Sequence, residues 1–252
     1  MTNRITFALQ KGGVGKTSST VATAEILAAS GYRVLVVDFD SQGNATKMLA
    51  KDSIYKFTGN TIMEAIRHGN AAPYITTTES GVDLIPAEDN LSAFSRYIYT
   101  SQVDKPSRVL QRLLAPIESA YDFVFIDVGP SLGDTMVNAL VYADHIIIPV
   151  DLGDLAMDAM VRFMHFINEI KEAGRVHADV LGVLLTMRDA RSRYEREIAQ
   201  GIREAYKGLI FDTEIKRRAK IKEFSANGVD IAEPALLSYM DFTEELINRI
   251  TQ

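Results

Sequence analysis

Short, strongly apolar runs recur along the chain, at 5–9, 34–37, 123–126, 146–150 and 180–185. They are continuous and rich in β-branched residues rather than alternating, which suits strands covered on both faces. The stretches between them, such as 17–30 and 155–173, predict helices. Strand and helix in alternation imply an α/β fold: a doubly wound, mostly parallel β-sheet flanked by helices. Ligands in such a sheet sit at the carboxyl ends of the strands. No internal repeat, low-complexity segment or linker interrupts the sequence, so one domain is expected over 1–252. The segments 51–60 and 71–81 read as surface insertions.

Composition narrows the possible chemistry. Apolar residues make up 47% of the chain, ordinary for a protein with a buried core. There is no cysteine, which excludes disulfides, zinc–thiolate sites and iron–sulfur clusters. His68, His145, His165 and His177 lie far apart and show no zinc-ligand spacing. No apolar run reaches the roughly 18 residues that a membrane-spanning helix needs. The N-terminus leads straight into a strand without a signal segment, so a soluble cytoplasmic protein is expected. The net charge of −6 argues against wholesale nucleic-acid binding, but it is unevenly spread. Between 188 and 222, eleven Lys/Arg meet six Asp/Glu, a local +5 that leaves −11 on the rest. Such a contrast suggests a directed basic patch.

The segment Gln10-Lys-Gly-Gly-Val-Gly-Lys-Thr17 follows the first predicted strand and opens the first predicted helix. Glycines there let backbone N–H groups turn towards an anion, and the helix N-terminus adds partial positive charge. Lys11, Gly12, Gly13, Val14, Gly15, Lys16, Thr17 and Ser18 are therefore candidate nucleotide-binding residues. Lys16 would reach the β- and γ-phosphates, and the Thr17 hydroxyl would ligate Mg²⁺. The first glycine of an ordinary P-loop would fall at position 10. Gln10 stands there instead, with an extra lysine, Lys11, beside it.

The run Lys11-Gly-Gly-Val-Gly-Lys-Thr17 resembles the deviant Walker A motif K-G-G-x-G-K-[ST] of ParA/MinD-type ATPases. The resemblance implies a P-loop NTPase fold, with ATP and Mg²⁺ as cofactors. It also implies a first lysine that reaches across a dimer interface to the partner's nucleotide, the place of Lys11 here. Val36-Val-Asp-Phe-Asp-Ser-Gln-Gly-Asn44 is similar to the family's D-x-D-P-Q-G-N, with Ser41 in place of its proline. Asp38 and Asp40 are expected to end the second strand, where a carboxylate meets Mg²⁺ and the attacking water. By resemblance Asp40 orients that water, and Gln42 belongs to the same switch. Tyr121-Asp-Phe-Val-Phe-Ile-Asp127 looks like a Walker B strand, which makes Asp127 a Mg²⁺ holder through water, beside Thr17 and Asp40. The chain then reads Asp127-Val-Gly-Pro-Ser-Leu-Gly133, with Gly129 where the family has proline. Taken alone, Asp40 or Asp127 would equally suit capping or turn formation after a strand. The implied chemistry is slow, switch-type hydrolysis: Lys16, Mg²⁺ and backbone donors neutralise charge while Asp40 positions water. A Lys11 supplied by a partner would make turnover wait for dimerisation.

Within the family, the nitrogenase iron-protein branch needs cysteines and is excluded. The MinD branch needs a basic amphipathic tail. Here the last predicted helix, 235–250, carries Asp241, Glu244 and Glu245 against Arg249, so anionic lipid would repel it. Its Leu236, Met240, Leu246 and Ile250 read as packing on the sheet. The ParA branch, with Soj-like members, binds DNA non-specifically as an ATP-bound homodimer. Thr186-Met-Arg-Asp-Ala-Arg-Ser-Arg193 resembles that branch's T-M-x-D-x-R-T region. Ile215-Lys-Arg-Arg-Ala-Lys-Ile-Lys-Glu223 occupies the place of its I-P-R-N motif, with Lys216 for proline on the adenine side. Arg188, Arg217, Arg218, Lys220 and Lys222 are candidate DNA contacts. The same charge run equally suits a solvated helix face, and Glu195 and Glu197 are alternative partners for neighbouring arginines. Met157, Met160 and Met164 form a helical stripe, either core or partner surface. No helix-turn-helix segment precedes the first strand. The reading is a nucleoid-associated ATPase of plasmid or chromosome partitioning, with a ParB-like centromere-binding partner and no membrane. The alternatives are a positioning ATPase with protein cargo and an ATP-sensing adaptor that needs no DNA.

Overall fold

The computed structural model describes residues 1–153, 156–189, 191–217 and 233–251. The first half of the chain gives β1 (Asn3–Phe7), α1 (Lys16–Ala29), β2 (Val34–Phe39), α2 (Asn44–Ala50), α3 (Ile62–His68), β3 (Thr76–Thr77), β4 (Asp83–Ile85), α4 (Phe94–Thr100) and α5 (Val109–Leu114). The second half gives β5 (Phe123–Val128), α6 (Asp134–Tyr142), β6 (His145–Asp151), α7 (Ala156–Glu172), β7 (Asp179–Arg188), α8 (Arg193–Ala205), β8 (Ile210–Lys216) and α9 (Leu237–Thr251). Among the described residues these strands make one sheet in the order β3-β4-β2-β5-β1-β6-β7-β8. Every pair is parallel except β3 with β4. This is the doubly wound P-loop NTPase sheet expected, and all five apolar runs lie in or against its strands.

The runs are continuous because both faces are covered. Successive side chains of a strand point to opposite faces. Leu35, Val37 and Phe39 enter one core with α3–α8, whereas Val34 and Val36 enter the other with α1, α2 and α9. Val124 and Ile126 divide from Phe123 and Phe125 in the same way. Of the methionine stripe on α7, Met160 is fully buried and Met157 and Met164 pack partly on the same core, which favours its core reading.

One expectation needs correction. The segment 71–81 is not merely a surface insertion, because it contains β3, which pairs antiparallel with β4 and forms the sheet edge. Strands of two and three residues are too short for hydrophobic period to mark. The segment 51–60 forms a turn at Ile54–Phe57 that lies over Gly43. Gly43 has a φ of 59°, and a Cβ there would come within 2.7 Å of Ile54 and 2.9 Å of the Ala87 carbonyl.

The acidic residues of the last helix have a packing role. Glu245 on α9 accepts bonds from the Asp212 and Thr213 N–H groups at 2.8 and 2.9 Å, covering donors of the edge strand β8. Arg249 donates to the Ile210 carbonyl at 2.6 Å and lies 4.1 Å from the Phe211 ring centre. Gly182 leaves room for both groups. Leu236, Phe242 and Leu246 are fully buried against α1 and the sheet. Among the described residues no helix is long and apolar enough to cross a membrane.

Glu25 on α1 is only 1% exposed. Burial pushes its carboxyl up to about 7, against weaker pulls from the Ser80 hydroxyl and Lys51. The folded protein thus holds this proton more tightly than the unfolded chain. The resulting stability is full below about pH 4.5 and is lost as pH rises through 7. Glu25→Gln is expected to stabilise the protein at pH 8 by on the order of 2 to 3 kcal/mol and to change little at pH 4.5. Thermal unfolding at both pH values checks this, and a pH-independent difference would contradict it.

Candidate functional site

The loop between β1 and α1 leaves an anion site open. Gly13 and Gly15 take φ values of 76° and 87°, which any residue with a Cβ adopts at a cost. Gly15 is the N-cap of α1 and has no side chain to satisfy the first N–H groups, and the turn Lys16-Thr-Ser-Ser19 holds no acid. Those donors and the helix dipole are left for a ligand. The Val14 side chain is buried, so this residue offers only its backbone. Its carbonyl accepts a 2.8 Å bond from Thr186 Oγ1, which ties the loop to the end of β7.

Lys16 Nζ donates to the Lys11 carbonyl at 2.8 Å, so its ammonium closes over the loop. Burial lowers its pKa, and Asp127 and Asp40 oppose that. Thr17 Oγ1 donates to Asp127 Oδ2 at 2.8 Å. Asp127 Oδ1 is buried with no hydrogen-bond partner among the described residues. Burial, and then the Asp38 carboxylate, hold Asp127 well above the usual carboxylate range. An orphaned carboxylate oxygen beside a threonine hydroxyl fits a divalent cation, whose charge would relieve both causes. Among the described residues no group of three His, Cys, Asp or Glu side chains can hold a metal. The rest of the shell would be phosphate oxygens and water, the arrangement Mg²⁺ prefers.

The two acids at the carboxyl end of β2 separate. Asp38 was expected to end the strand facing Mg²⁺ and water. It is instead fully buried and accepts from Thr46 N and Thr46 Oγ1, both at 2.7 Å. Thr46 Oγ1 in turn accepts from Ala87 N at 2.9 Å. Burial raises the Asp38 pKa to about 6 against the pull of these bonds. Asp38 therefore locks the start of α2 and the end of β4 to β2. Asp40 lies beyond the strand, with Oδ1 accepting from Gln42 N at 3.2 Å.

A cleft of about 370 Å³ gathers these groups. Gly12, Gly13, Gly15, Lys16, Thr17 and Ser18 form its floor. Asp40, Gln42 and Asn44 stand on one side, Val128, Gly129 and Pro130 on another. Met187, at the left-handed φ of 54°, supplies a further wall. Lys11 turns away from the cleft, its Nζ 2.6 Å from Asp151 Oδ1 at the end of β6.

The basic candidates fare differently. Lys216 is exposed at the end of β8, in register with Arg188, and is not among the residues that line the cleft. Arg188 is no surface cation: it is ion-paired with Glu214, and its side chain is only 20% exposed. Arg203 shares Glu214 at 3.1 Å. Arg193 pairs with Glu197 at 2.9 Å, the alternative raised by the sequence. Arg217 is 60% exposed, lies 3.9 Å from Glu195, and donates Nε to the Met187 carbonyl at 3.1 Å. Arg218, Lys220 and Lys222 lie outside the described residues.

Four residues of the site had not been singled out for it. Asp151 and Met187 were findable, since they lie at the carboxyl ends of β6 and β7. Thr46 and Thr186 act through tertiary contacts that no spacing announces.

A family model described as an AAA domain matches residues 2–180. The chromosome partitioning protein ParA of Myxococcus xanthus is 31% identical, over 96% of this chain and 87% of that protein. The chain belongs to the ParA/MinD-type ATPase family. Solved relatives share its fold. Cobyrinic acid a,c-diamide synthase from Mycobacterium smegmatis, bound to an ATP analogue and magnesium, superposes with a TM-score of 0.88 at 25% identity, covering 100% and 96% of the two chains. A putative plasmid partition protein from Borrelia burgdorferi B31 bound to AMPPNP gives 0.82 at 24% identity, covering 100% and 99%. In this ParA-type ATPase the Asp38–Thr46 lock should be a large stability term. Thr46→Val removes one donor to a buried carboxylate and the acceptor of Ala87 N. The expected loss is about 2 to 4 kcal/mol in a denaturant titration. A loss below about 0.5 kcal/mol, the usual size for an unremarkable surface site, would remove the lock from this role.

Proposed function

We propose that the chain is a ParA-like ATPase that hydrolyses ATP to ADP and phosphate with Mg²⁺ and closes as an ATP-bound sandwich dimer. In that state it binds DNA non-specifically and drives plasmid or chromosome partitioning. One observation carries this reading: Lys16, Thr17 and Asp40 line one cleft with Asp127 behind Thr17, while Lys11 of the same loop turns out of it to Asp151. A cation that leaves its own cleft is available to the nucleotide of a second copy. On this reading Lys16 and the N–H groups of Gly12–Ser18 cradle the phosphates. Thr17 would hold Mg²⁺ with Asp127 beside it, and the metal would supply neutralisation of phosphate charge. Asp40 orients the attacking water. Lys11 exchanges Asp151 for the partner copy's phosphates, so turnover follows dimerisation. The magnesium and ATP analogue in the mycobacterial synthase support the nucleotide part, and the Myxococcus relative's name supports the partitioning part. Arg217, exposed at the end of β8, and Arg218 after it head the DNA candidates, and Arg188 is left out because Glu214 holds it. A ParB-like centromere-binding protein is the expected stimulating partner, and the nucleoid the expected location.

Lys16→Ala should abolish ATP binding in calorimetry, because the phosphates lose their desolvated cation. Unchanged affinity would sink the phosphate-site assignment. Asp40→Ala should keep ATP and remain dimeric in sedimentation while losing hydrolysis; hydrolysis at the parent rate would take the water-orienting role from Asp40.

DNA binding is tested by fluorescence anisotropy with a random duplex at several salt concentrations. ATP, but not ADP, should support binding, since two linked patches gain from effective concentration. Affinity should fall along a straight log–log line with salt, and replacing Arg217 and Arg218 by Ala should flatten that line. Equal binding with both nucleotides would remove the switch. Binding with neither would shift the reading to a protein cargo or an adaptor.

A further inference from the structure

The Asp40 side chain has a single hydrogen bond among the described residues, and Lys16 is the cation its charge acts on. Asp40 Oδ1 accepts that bond from Gln42 N at 3.2 Å, and its own N–H donates to Asp38 Oδ1 at 3.2 Å. The opposite wall is Gly129. A Cβ built on Gly129 would lie 3.2 Å from Asp40 Cγ, Oδ1 and Oδ2 alike, so the flat of the carboxylate rests where a side chain would begin. Those three atoms are the nearest neighbours of the added carbon. Gly129 does not have a positive φ, so its backbone is one that alanine also adopts. Space, and not conformational freedom, is what this glycine supplies. The motif it interrupts carries proline at this place in the family it resembles, and Ser41, beside Asp40, stands where that family has its other switch proline.

We propose that Gly129 is the positioning residue for Asp40: the missing side chain forms a niche that sets how far the carboxylate lies back from the phosphate loop, and so where the attacking water is held. The inference rests on the water-orienting role of Asp40. Any residue with a Cβ at 129 drives the carboxylate forward by a few tenths of an ångström. Asp40 is tethered through backbone bonds alone, so it yields to that push. Water orientation is sensitive to shifts of this size, and the phosphate cradle does not include either group.

The test compares the parent, Gly129→Ala, Asp40→Ala and the double variant. Gly129→Ser is a second substitution with the same Cβ. Gly129 is half-buried on a loop, and the added methyl meets only a movable carboxylate, so the folded state is retained. Gly129→Ala should lower kcat about tenfold with KM for ATP within about twofold. It should weaken capture of ADP with aluminium fluoride by a similar factor, while affinity for a non-hydrolysable ATP analogue stays unchanged. In the Asp40→Ala background, adding Gly129→Ala should change aluminium-fluoride capture no further, because the effect runs through Asp40. Parent-like kcat in both position-129 variants would overturn the proposal, as would a parallel loss of analogue affinity, or an undiminished effect without Asp40. Parent-like hydrolysis by Asp40→Ala would remove the reading of Asp40 beneath it. A silent Gly129→Ala beside an inactive Asp40→Ala would remove the niche alone.

Discussion

Asp38 and Asp127 face each other in register on the adjacent strands β2 and β5, and neither is exposed to solvent. Two buried carboxylates so placed disfavour each other's charge, and burial disfavours both. The fold answers by giving each a private partner from the start of a helix. Thr46, in the first turn of α2, gives Asp38 a backbone and a hydroxyl donor. Thr17, in the first turn of α1, gives Asp127 one hydroxyl and leaves its second oxygen without a partner. The asymmetry separates the two roles. The satisfied acid is a structural clamp, and the half-satisfied acid is the one with capacity for a cation.

The strand order then places the remaining groups. The order β2-β5-β1-β6 across the middle of the sheet brings Asp40, Asp127, the phosphate loop and Asp151 to the carboxyl end of the strands, although they are spread over more than half of the chain. The loop leaves β1, which has β5 on one side and β6 on the other. Its two lysines, five residues apart, are divided between these neighbours. Lys16 lies on the β5 side, where Asp127 opposes the lowering of its pKa by burial, and Lys11 lies on the β6 side against Asp151. One loop thus presents two cations in different directions, which a single phosphate group does not require.

Legibility in the sequence followed the range of each signal. The long strands and the phosphate loop were readable because both are local patterns: continuous apolar runs, and glycines between a strand and a helix. The edge pair β3 and β4 was not, since so few residues carry no period. Asp38 and Asp40 share parity and would share a face if β2 continued. The chain leaves the strand after Phe39, and the two acids part. No count of residues reveals where that exit falls. The local +5 was real as a sum, but Glu197 takes up Arg193 through a local i,i+4 pair, and Glu214 and Glu195 take up Arg188, Arg203 and part of Arg217 through contacts that only the β7–α8–β8 geometry creates.

That geometry also joins the nucleotide cleft to the basic end of β8 through three consecutive residues of β7. Thr186 donates to the Val14 carbonyl within the phosphate loop. Met187 lines the cleft, with its methyl 3.8 Å from where a Cβ of Gly15 would stand. Its carbonyl receives Arg217 Nε, and the Arg188 carbonyl receives Arg217 N at 2.8 Å. Met187 holds its left-handed φ inside this short chain of contacts, a conformation that costs about 1 kcal/mol or more and persists only where neighbours enforce it. The phosphate loop, the wall of the cleft and the two carbonyls that fix Arg217 are thus joined by contacts of three consecutive residues, Thr186, Met187 and Arg188.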